Sequence, residues 1–323
     1  MAIKNINHQP RMTQFLVNDT NSFSNNPLLI IDVGARDGFE YHWDFFGNQI
    51  HKIGFEPDVE ECNRLNQKSN HNSKFYSIAL GRKKEKRTFS YCQWGGSSGF
   101  YPGNKNFLKR FPNEDLEDME VVETQDMETV DLDSFVEENK VDEVDFIKLD
   151  VEGSELDVLK GAVNCLQQSV LGLSIEVLFH GSIRNQPTFS EIDLFLNSLG
   201  FNLFDLAIYR HARKALPLPI ISDLGDTKHG QVLWAQALYL RDAVSELEAN
   251  ESTNKWNKFK VLKLASLMEI FCLPDCSAEL IQIAAKKNIL NEDINLLLNK
   301  LIPAIQREGK IEYISYENYL NLF

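Results

Sequence analysis

The 323-residue sequence is poor in several residue types and patterns, and each shortage excludes a class of protein. With only 17 glycines and 10 prolines, the chain is neither collagen-like nor of low complexity. Its five cysteines form no CxxC pair and no zinc-type spacing, which argues against a disulfide framework or a zinc site. No stretch approaches the roughly 18 consecutive apolar residues of a membrane span, and the first ten residues lack a secretory signal. We therefore expect a cytoplasmic protein with reduced thiols and no membrane span.

Basic residues are also in the minority. The chain has 33 lysines and arginines against 47 acidic residues, and residues 114–157 alone hold 19 acidic residues and two lysines. Because nucleic-acid affinity comes mainly from lysine and arginine, we expect no nucleic-acid partner. The one basic run, at residues 82–87, is expected to be a solvated turn between strands. A hydrophobic content of 43% is enough for a sizeable core.

The hydrophobic pattern divides the chain into three parts. Residues 1–26 are polar and are expected to be a loosely ordered leader. Across residues 27–241, short apolar runs alternate with amphipathic segments, which predicts an α/β fold with a mostly parallel sheet. Residues 242–323 lack strand signals and are predicted to form a helical extension. The runs predicted as buried strands are 28–33, 50–55, 75–80, 144–149 and 170–179.

Capping signals predict two helices in the middle part. Ser154 begins one that extends to residue 168, and Thr188 with Glu191 begins another, which Gly200 closes. The weakly periodic segment 91–112 is expected to be a long loop, part of which could cover a ligand.

The first chemical motif is Asp32-x-Gly34-x-x-x-Gly38, placed where a strand is expected to pass through a glycine turn into a helix. Such glycines allow a sharp turn and a close approach of the backbone to a ligand. The dinucleotide fingerprint has a different spacing, and Arg36 stands where it requires its second glycine. A carboxylate at the strand end suits a ligand with an ammonium or sulfonium group better than a phosphate. Alternatively, Asp32 is an ordinary helix cap.

The second motif, Gly-Phe-Glu-Pro-Asp at residues 54–58, follows the second predicted strand. A carboxylate at the position of Glu56 can accept hydrogen bonds from both hydroxyls of a ribose. Alternatively, Glu56 is a surface carboxylate before Pro57. The order and spacing of the two motifs together favour a nucleoside-bearing cofactor.

The third motif, DFIKLDVEGSELDVLKG at residues 145–161, places Asp150 and Glu152 at the carboxyl end of the fourth predicted strand. In open α/β sheets this edge borders the ligand crevice. Together, IDVGARDG, GFEPD, SIALG and FIKLDVEGSELDVLKGA resemble the FkbM family of S-adenosylmethionine-dependent methyltransferases. The resemblance covers roughly residues 28–241 and leaves the helical tail outside.

This resemblance implies a Rossmann-like methyltransferase sheet whose last strand, at residues 232–240, is antiparallel. It also implies O-methylation of a sugar, glycan or natural-product hydroxyl with S-adenosyl-L-methionine as the cofactor. The resemblance places Asp150 and Glu152 beside the sulfonium and the acceptor. An alcohol needs a general base, and the candidate catalytic residues for that role at the strand ends are Asp150, Glu152 and His180. The implied cofactor-binding residues are Asp32, Gly34, Ala35, Gly38, Glu56, Pro57, Asp58, Ile78, Ala79 and Asp150.

The residues themselves leave several alternatives open. His180 fits a general base or a polar loop residue, and Glu152 fits a base or an acid that complements a helix dipole. A divalent ion held by Asp150, Glu152 and His180 could replace the base, but these positions form no recognised ligand pattern, and we expect no metal. Rival functions are a nicotinamide-dependent oxidoreductase and a non-catalytic nucleoside-binding or scaffold protein. The expected partner is a small-molecule or glycan acceptor, and the C-terminal helices could form a homo-oligomer.

Overall fold

The computed structural model describes residues 5–112, 118–179, 181, 183, 185–222, 224–249, 256–307 and 310–323. It separates into two compact units, one of Leu29–Phe39 and Lys52–Arg241 and the other of residues 5–28, Glu40–His51 and Asp242–Phe323. In chain order the strands are β1 Leu28–Val33, β2 Ile50–Phe55, β3 Ser73–Tyr76, β4 Ala79–Leu80, β5 Glu85–Cys92, β6 Val121–Val130, β7 Phe146–Leu149, β8 Gly172–Leu178, β9 Phe201–His211, β10 Gln231–Arg241, β11 Ile305–Arg307 and β12 Lys310–Glu312.

The first unit is organised around a seven-stranded sheet with the order β3-β2-β1-β7-β8-β10-β9. The pairs β2 with β3, β1 with β7 and β7 with β8 are parallel, whereas β10 is antiparallel to both β8 and β9. This confirms the predicted mostly parallel sheet with an antiparallel last strand. Its buried residues, including Ile31, Leu149 and Ile175, form the main hydrophobic core with the helices that cover them.

Helices of the first unit connect these strands and pack on the sheet. They are Val59–Lys68, Lys105–Leu108, Leu132–Glu138, Glu155–Lys160, Val163–Gln168 and Phe189–Ser198. The predicted helix after Thr188 is confirmed: the Thr188 N–H donates to Glu191 Oε2 at 2.9 Å, and Gly200 follows the helix with φ +86°.

The predicted single helix from Ser154 to residue 168 is wrong in two respects. It is two helices separated at Gly161 and Ala162, and Ser154 makes no side-chain capping hydrogen bond. At the break, a Cβ on Gly161 would lie 2.2 Å from the carbonyl oxygen of Gly81. The chain therefore passes so close to neighbouring backbone that only glycine fits there.

A smaller sheet with the order β4-β6-β5 also belongs to the first unit and was not predicted as such. The second half of the basic run lies in β5 instead of a turn. In β5, Lys86 Nζ lies 3.3 Å from Asp126 Oδ2, and just before this strand Lys84 Nζ lies 3.6 Å from Glu128 Oε2. Part of the acidic excess therefore faces lysines on exposed strands.

The second unit is mostly helical. Its helices are Arg11–Asn18, Ala243–Ala249, Lys258–Ile270, Pro274–Lys286, Ile294–Leu301 and Tyr316–Leu320, with a 3₁₀ helix at Tyr41–Phe46 and the unpredicted hairpin of β11 and β12. Within the described residues, no helix is both long enough and apolar enough to cross a bilayer.

The start of the chain differs from the expected loosely ordered leader. Helix Arg11–Asn18 buries Met12, Leu16 and Val17 within the second unit. The carboxylate of Glu269 accepts hydrogen bonds from the N–H groups of Met12 and Thr13 at 2.8 and 2.7 Å, which satisfies two donors at the start of this helix.

Candidate active site

A cavity of about 510 Å³ lies in the first unit, beside the carboxyl ends of β1, β2 and β7. Its volume is in the range of small-molecule and cofactor sites. Of the predicted site residues, those that line it are Gly34, Glu56, Pro57, Asp58, Ile78, Ala79, Asp150 and Glu152. Arg36 also lines the cavity, with its Nη1 3.8 Å from Asp58 Oδ2.

Glu56 and Asp58 define one end of the cavity. Only 6% of Glu56 is exposed, and its Oε1 accepts a hydrogen bond from the Asp58 N–H at 2.9 Å. Burial raises the pKa of Glu56, and the Asp58 N–H opposes this rise. The Asp58 side chain caps helix Val59–Lys68 by accepting from the N–H groups of Glu60 and Glu61. Both carboxylates are thus held by local hydrogen bonds at the end of β2.

The glycine turn after β1 brings backbone segments together. Gly34 has φ +81°, and a Cβ there would lie only 1.9 Å from the carbonyl oxygen of Asp150. Ala35 is fully buried in a small core with Leu65 and Phe75 and does not line the cavity. Gly38 turns the chain with φ +94° and does not line it either. The helix expected after this turn is not observed, because the next element is the 3₁₀ helix that begins at Tyr41.

Asp32 lies beneath the cavity and does not line it. Its Oδ1 is 3.1 Å from Lys148 Nζ, and only 2% of the Asp32 side chain is exposed. Burial raises the pKa of Asp32, and the Lys148 ammonium opposes this rise. Lys148 does line the cavity, and its Nζ is also 3.8 Å from Asp150 Oδ2. Asp32 is therefore placed to hold Lys148 beside the ligand space.

The loop after β7 carries Glu152 in a left-handed conformation, with φ +52°. The loop is fixed by Glu155, whose Oε1 accepts from the N–H groups of Val151 and Gly153 at 3.0 and 3.3 Å. Burial raises the pKa of Glu152 well above its ordinary value, and the charges of Asp150 and Glu155 raise it further. Left-handed backbone at a non-glycine residue is found preferentially at functional sites.

Glu176, two residues before the carboxyl end of β8, joins this group. One carboxylate oxygen from each of Asp150, Glu152 and Glu176 lies within 4.8 Å of the others. Lys148 is opposite Ser174 in the parallel pair of β7 and β8, so Asp150 and Glu176 are the next residues on the same face of their strands. Burial raises the pKa of Glu176 well above its ordinary value, and the charge of Asp150 adds to the effect.

Part of the predicted loop 91–112 also reaches the cavity. Trp94, Ser98 and Phe100 line it, whereas the hydroxyl of Tyr101 points to Asp157 and donates to its Oδ2 at 2.9 Å. His180, the remaining predicted catalytic residue, lies outside the described residues.

Sequence reasoning did not select Lys148 or Glu176 as site residues. The signal was nevertheless present, because each is a charged residue inside a largely apolar strand, in FIKL and LSIEVL respectively. A buried charge is costly without a partner, so such an interruption indicates a polar cluster. The partners come from other strands, which the pattern of one strand does not reveal.

The sheet order and the cavity at its carboxyl edge define a ligand-binding α/β protein of the Rossmann-like class. The family model for the methyltransferase FkbM domain matches residues 32–203, which is more than half of the chain. The chain belongs to the FkbM methyltransferase family. Membership of this family identifies S-adenosylmethionine as the cofactor. A search of the curated proteins finds no match.

Several solved structures match this chain at low similarity. Methyltransferase FkbM from Methylobacillus flagellatus KT is 15% identical with a TM-score of 0.36; the match covers 66% of this chain and 43% of that one. Magnesium protoporphyrin IX methyltransferase from Synechocystis PCC 6803 is 9% identical with a TM-score of 0.32, over 72% of this chain and 80% of that one. A Burkholderia thailandensis 1,6-didemethyltoxoflavin-N1-methyltransferase is 10% identical with a TM-score of 0.32, over 73% and 79%. The functional assignment rests on the family match.

Proposed function

We propose that the chain is an S-adenosylmethionine-dependent O-methyltransferase that acts on a hydroxyl of a sugar, glycan or natural product. The observation that carries the proposal is the placement of Glu56, Asp150 and Glu152 around one cavity in the unit that contains most of the family match. S-adenosylmethionine, when bound, supplies a methyl group that its sulfonium already activates. The protein's contribution is then to position an oxygen nucleophile and to take its proton.

The donor set of the cavity fits a cationic adenosyl ligand. The Glu56 carboxylate is available to two ribose hydroxyls, and Ile78, Ala79 and Phe89 offer apolar contact to a base. Carboxylates at the other end, from Asp150 and Glu152, suit an ammonium or sulfonium group. Arg36 stands where a dinucleotide site requires glycine, which disfavours the rival nicotinamide-dependent function.

Glu152 is the proposed general base. Its raised pKa makes it a stronger proton acceptor than an ordinary carboxylate, and it lines the cavity. A positioned base contributes roughly 10²- to 10⁴-fold to rate. Hydroxyl acceptors fit the surrounding carboxylate oxygens and the aromatic rings of Trp94 and Phe100, which offer hydrogen bonds and ring contact to a sugar. We also retain the prediction of a cytoplasmic location, because the five cysteines are free thiols.

Calorimetric titration with S-adenosylhomocysteine and with NAD tests the proposed cofactor. We expect S-adenosylhomocysteine to bind and NAD not to bind. The variant Glu56→Gln should weaken S-adenosylhomocysteine binding about 10- to 100-fold, since it loses charge-assisted hydrogen bonds. Glu60→Gln, an exposed change on the adjoining helix, is the matched control and should retain wild-type affinity. Binding of NAD alone, or equal affinities in the two variants, would contradict the proposal.

A further inference from the structure

Three carboxylates from two strand ends converge beside the cavity. Asp150 and Glu152 follow β7, and Glu176 lies near the carboxyl end of β8, with one oxygen of each within 4.8 Å of the others. Glu176 is 4% exposed, so its carboxylate is shielded from bulk water. Carboxylate oxygens brought this close repel one another; Lys148 Nζ, 3.8 Å from Asp150 Oδ2, offsets part of this repulsion, and a divalent cation or a shared proton would offset more.

Two oxygen atoms beside this cluster lack the partners that buried polar atoms normally have. Ser154 is 1% exposed and lines the same cavity as Asp150 and Glu152, and its Oγ has no hydrogen-bond partner among the described residues. Gln236 is 1% exposed and lies directly opposite Glu176 in the antiparallel pair of β8 and β10. The Gln236 Nε2 donates to Ser174 Oγ at 2.7 Å, but its Oε1 is likewise without a partner within the described part of the chain.

Unpartnered buried oxygens are rare in folded proteins, and each one needs an explanation such as an ion or a water molecule. Here they are independent of the carboxylates: one belongs to a helix start and the other to a third strand. All five oxygen donors come from residues on the cavity wall or on the sheet face that leads to it. Such an all-oxygen set is the kind that hard divalent cations prefer.

We propose that Asp150, Glu152 and Glu176 bind one divalent cation of the Mg²⁺ or Mn²⁺ type, with Ser154 and Gln236 completing its surroundings directly or through water. The prediction of no metal was made from Asp150, Glu152 and His180. Glu176 was not included, because it lies 24 positions after Glu152 and inside a largely apolar strand. The binding of the cation does not depend on the methyltransferase activity, but its use at the acceptor rests on the proposed function.

At the acceptor, the cation would coordinate the hydroxyl oxygen and lower the hydroxyl pKa. The O–H bond would break with its electron pair left on the oxygen, and the proton would pass to Glu152, the proposed base, on the carboxylate oxygen that does not bind the cation. The alkoxide would then attack the methyl carbon of S-adenosylmethionine, so that a C–O bond forms as the C–S bond breaks and S-adenosylhomocysteine leaves. Lys148, 3.8 Å from Asp150, keeps that carboxylate oriented beside the ion.

Mn²⁺ titration of the full chain at neutral pH, followed by electron paramagnetic resonance of free Mn²⁺, tests the site without any adenosyl ligand. We expect one Mn²⁺ per chain, displaced by excess Mg²⁺. Glu176→Gln and Glu152→Gln should each raise the Kd about tenfold or more, since each removes one of three anionic ligands. Glu128→Gln removes the same charge from an exposed strand outside the cavity and should leave the Kd unchanged.

Glu152→Gln serves as the second variant in case Glu176→Gln does not fold, and circular dichroism shows which samples are folded. Absence of Mn²⁺ binding by the wild type at millimolar concentration would overturn the proposal, as would a wild-type Kd in both cluster variants. In that outcome the carboxylates share protons instead. Titration of the same samples with S-adenosylhomocysteine separates the two proposals. A wild-type chain that binds S-adenosylhomocysteine but not Mn²⁺ contradicts only the cation site. A chain that binds Mn²⁺ but not S-adenosylhomocysteine contradicts only the proposed function.

Discussion

Buried ionisable side chains have two different roles in this chain. In the candidate active site, burial raises the pKa values of Glu56, Glu152 and Glu176, which are grouped around one cavity or beside it. In the second unit, His42 is 1% exposed; neither ring nitrogen makes a hydrogen bond among the described residues, and Nε2 lies 3.6 Å from Glu40 Oε2. The first group indicates function, because perturbed carboxylates converge there; His42 is a packing residue between Trp43 and Phe271.

His42 makes the protein sensitive to acid. Burial lowers its pKa from 6.5 to about 3, so between these values the unfolded state binds a proton that the folded state does not. The free energy of unfolding should therefore fall as the pH falls through this window. From pH 6.5 to pH 5 the contribution of His42 is about 2 kcal/mol.

Urea unfolding of wild type and His42→Phe at pH 7 and pH 5 measures this contribution. The loss of stability between the two pH values should be about 2 kcal/mol smaller in the variant. His71→Phe, the same change at an exposed histidine, is the control and should keep the wild-type difference. An identical pH difference in wild type and His42→Phe would rule out this role.

At the scale of elements, the parallel pairing of β1 with β7 builds the site. The backbone at Gly34 touches the backbone at Asp150, so the ends of the two strands fix each other's position. Gly34→Ala should lower the free energy of unfolding by about 3 kcal/mol or more, since it adds both left-handed strain and a steric overlap.

Gly38→Ala is the matched control for this change. Gly38 also has a positive φ, but the nearest atom to an added Cβ is Leu65 Cδ2 at 3.6 Å. It should therefore cost only about 1 kcal/mol, from backbone strain alone. Equal losses in the two variants, measured by urea unfolding, would show that the close approach at Gly34 has no importance.

Elements with a simple pattern could be predicted from the sequence. Strands β1 and β2 begin and end at the predicted residues: β1 is a largely apolar, fully buried run, and β2 has buried apolar residues at both ends, Ile50 and Phe55. Strands β5 and β6 were missed because they are short of apolar residues and pair mainly at the surface. The helix after Ser154 was predicted too long, since its break depends on Gly81, a residue far away in the sequence.

The candidate site could be predicted only in part, because several of its contacts join residues that are far apart in the sequence. Glu56 and Asp150 follow apolar strands, and the carboxyl edge of a parallel sheet is where ligands bind. The position of Asp32 beneath the cavity could not be predicted, because it depends on Lys148 in the adjacent strand. The contribution of Glu176 likewise depends on which strand lies next to β7.

At the scale of the whole molecule, most of the family match and the entire described cavity fall in the first unit. The second unit lies almost wholly outside the match and has its own buried residues, such as Leu264 and Leu280. Cofactor binding should therefore be a property of the first unit. The function of the second unit stays a prediction: its helices either contact the acceptor or form a homo-oligomer.

A crystal structure of the full chain with S-adenosylhomocysteine would show whether the cavity binds the cofactor. We expect the ligand in the 510 Å³ cavity, with its ribose hydroxyls within hydrogen-bond distance of Glu56 and its sulfur towards Asp150 and Glu152. A ligand bound elsewhere, or bound in the cavity with Glu56 making no contact to it, would show that Glu56 does not hold the cofactor.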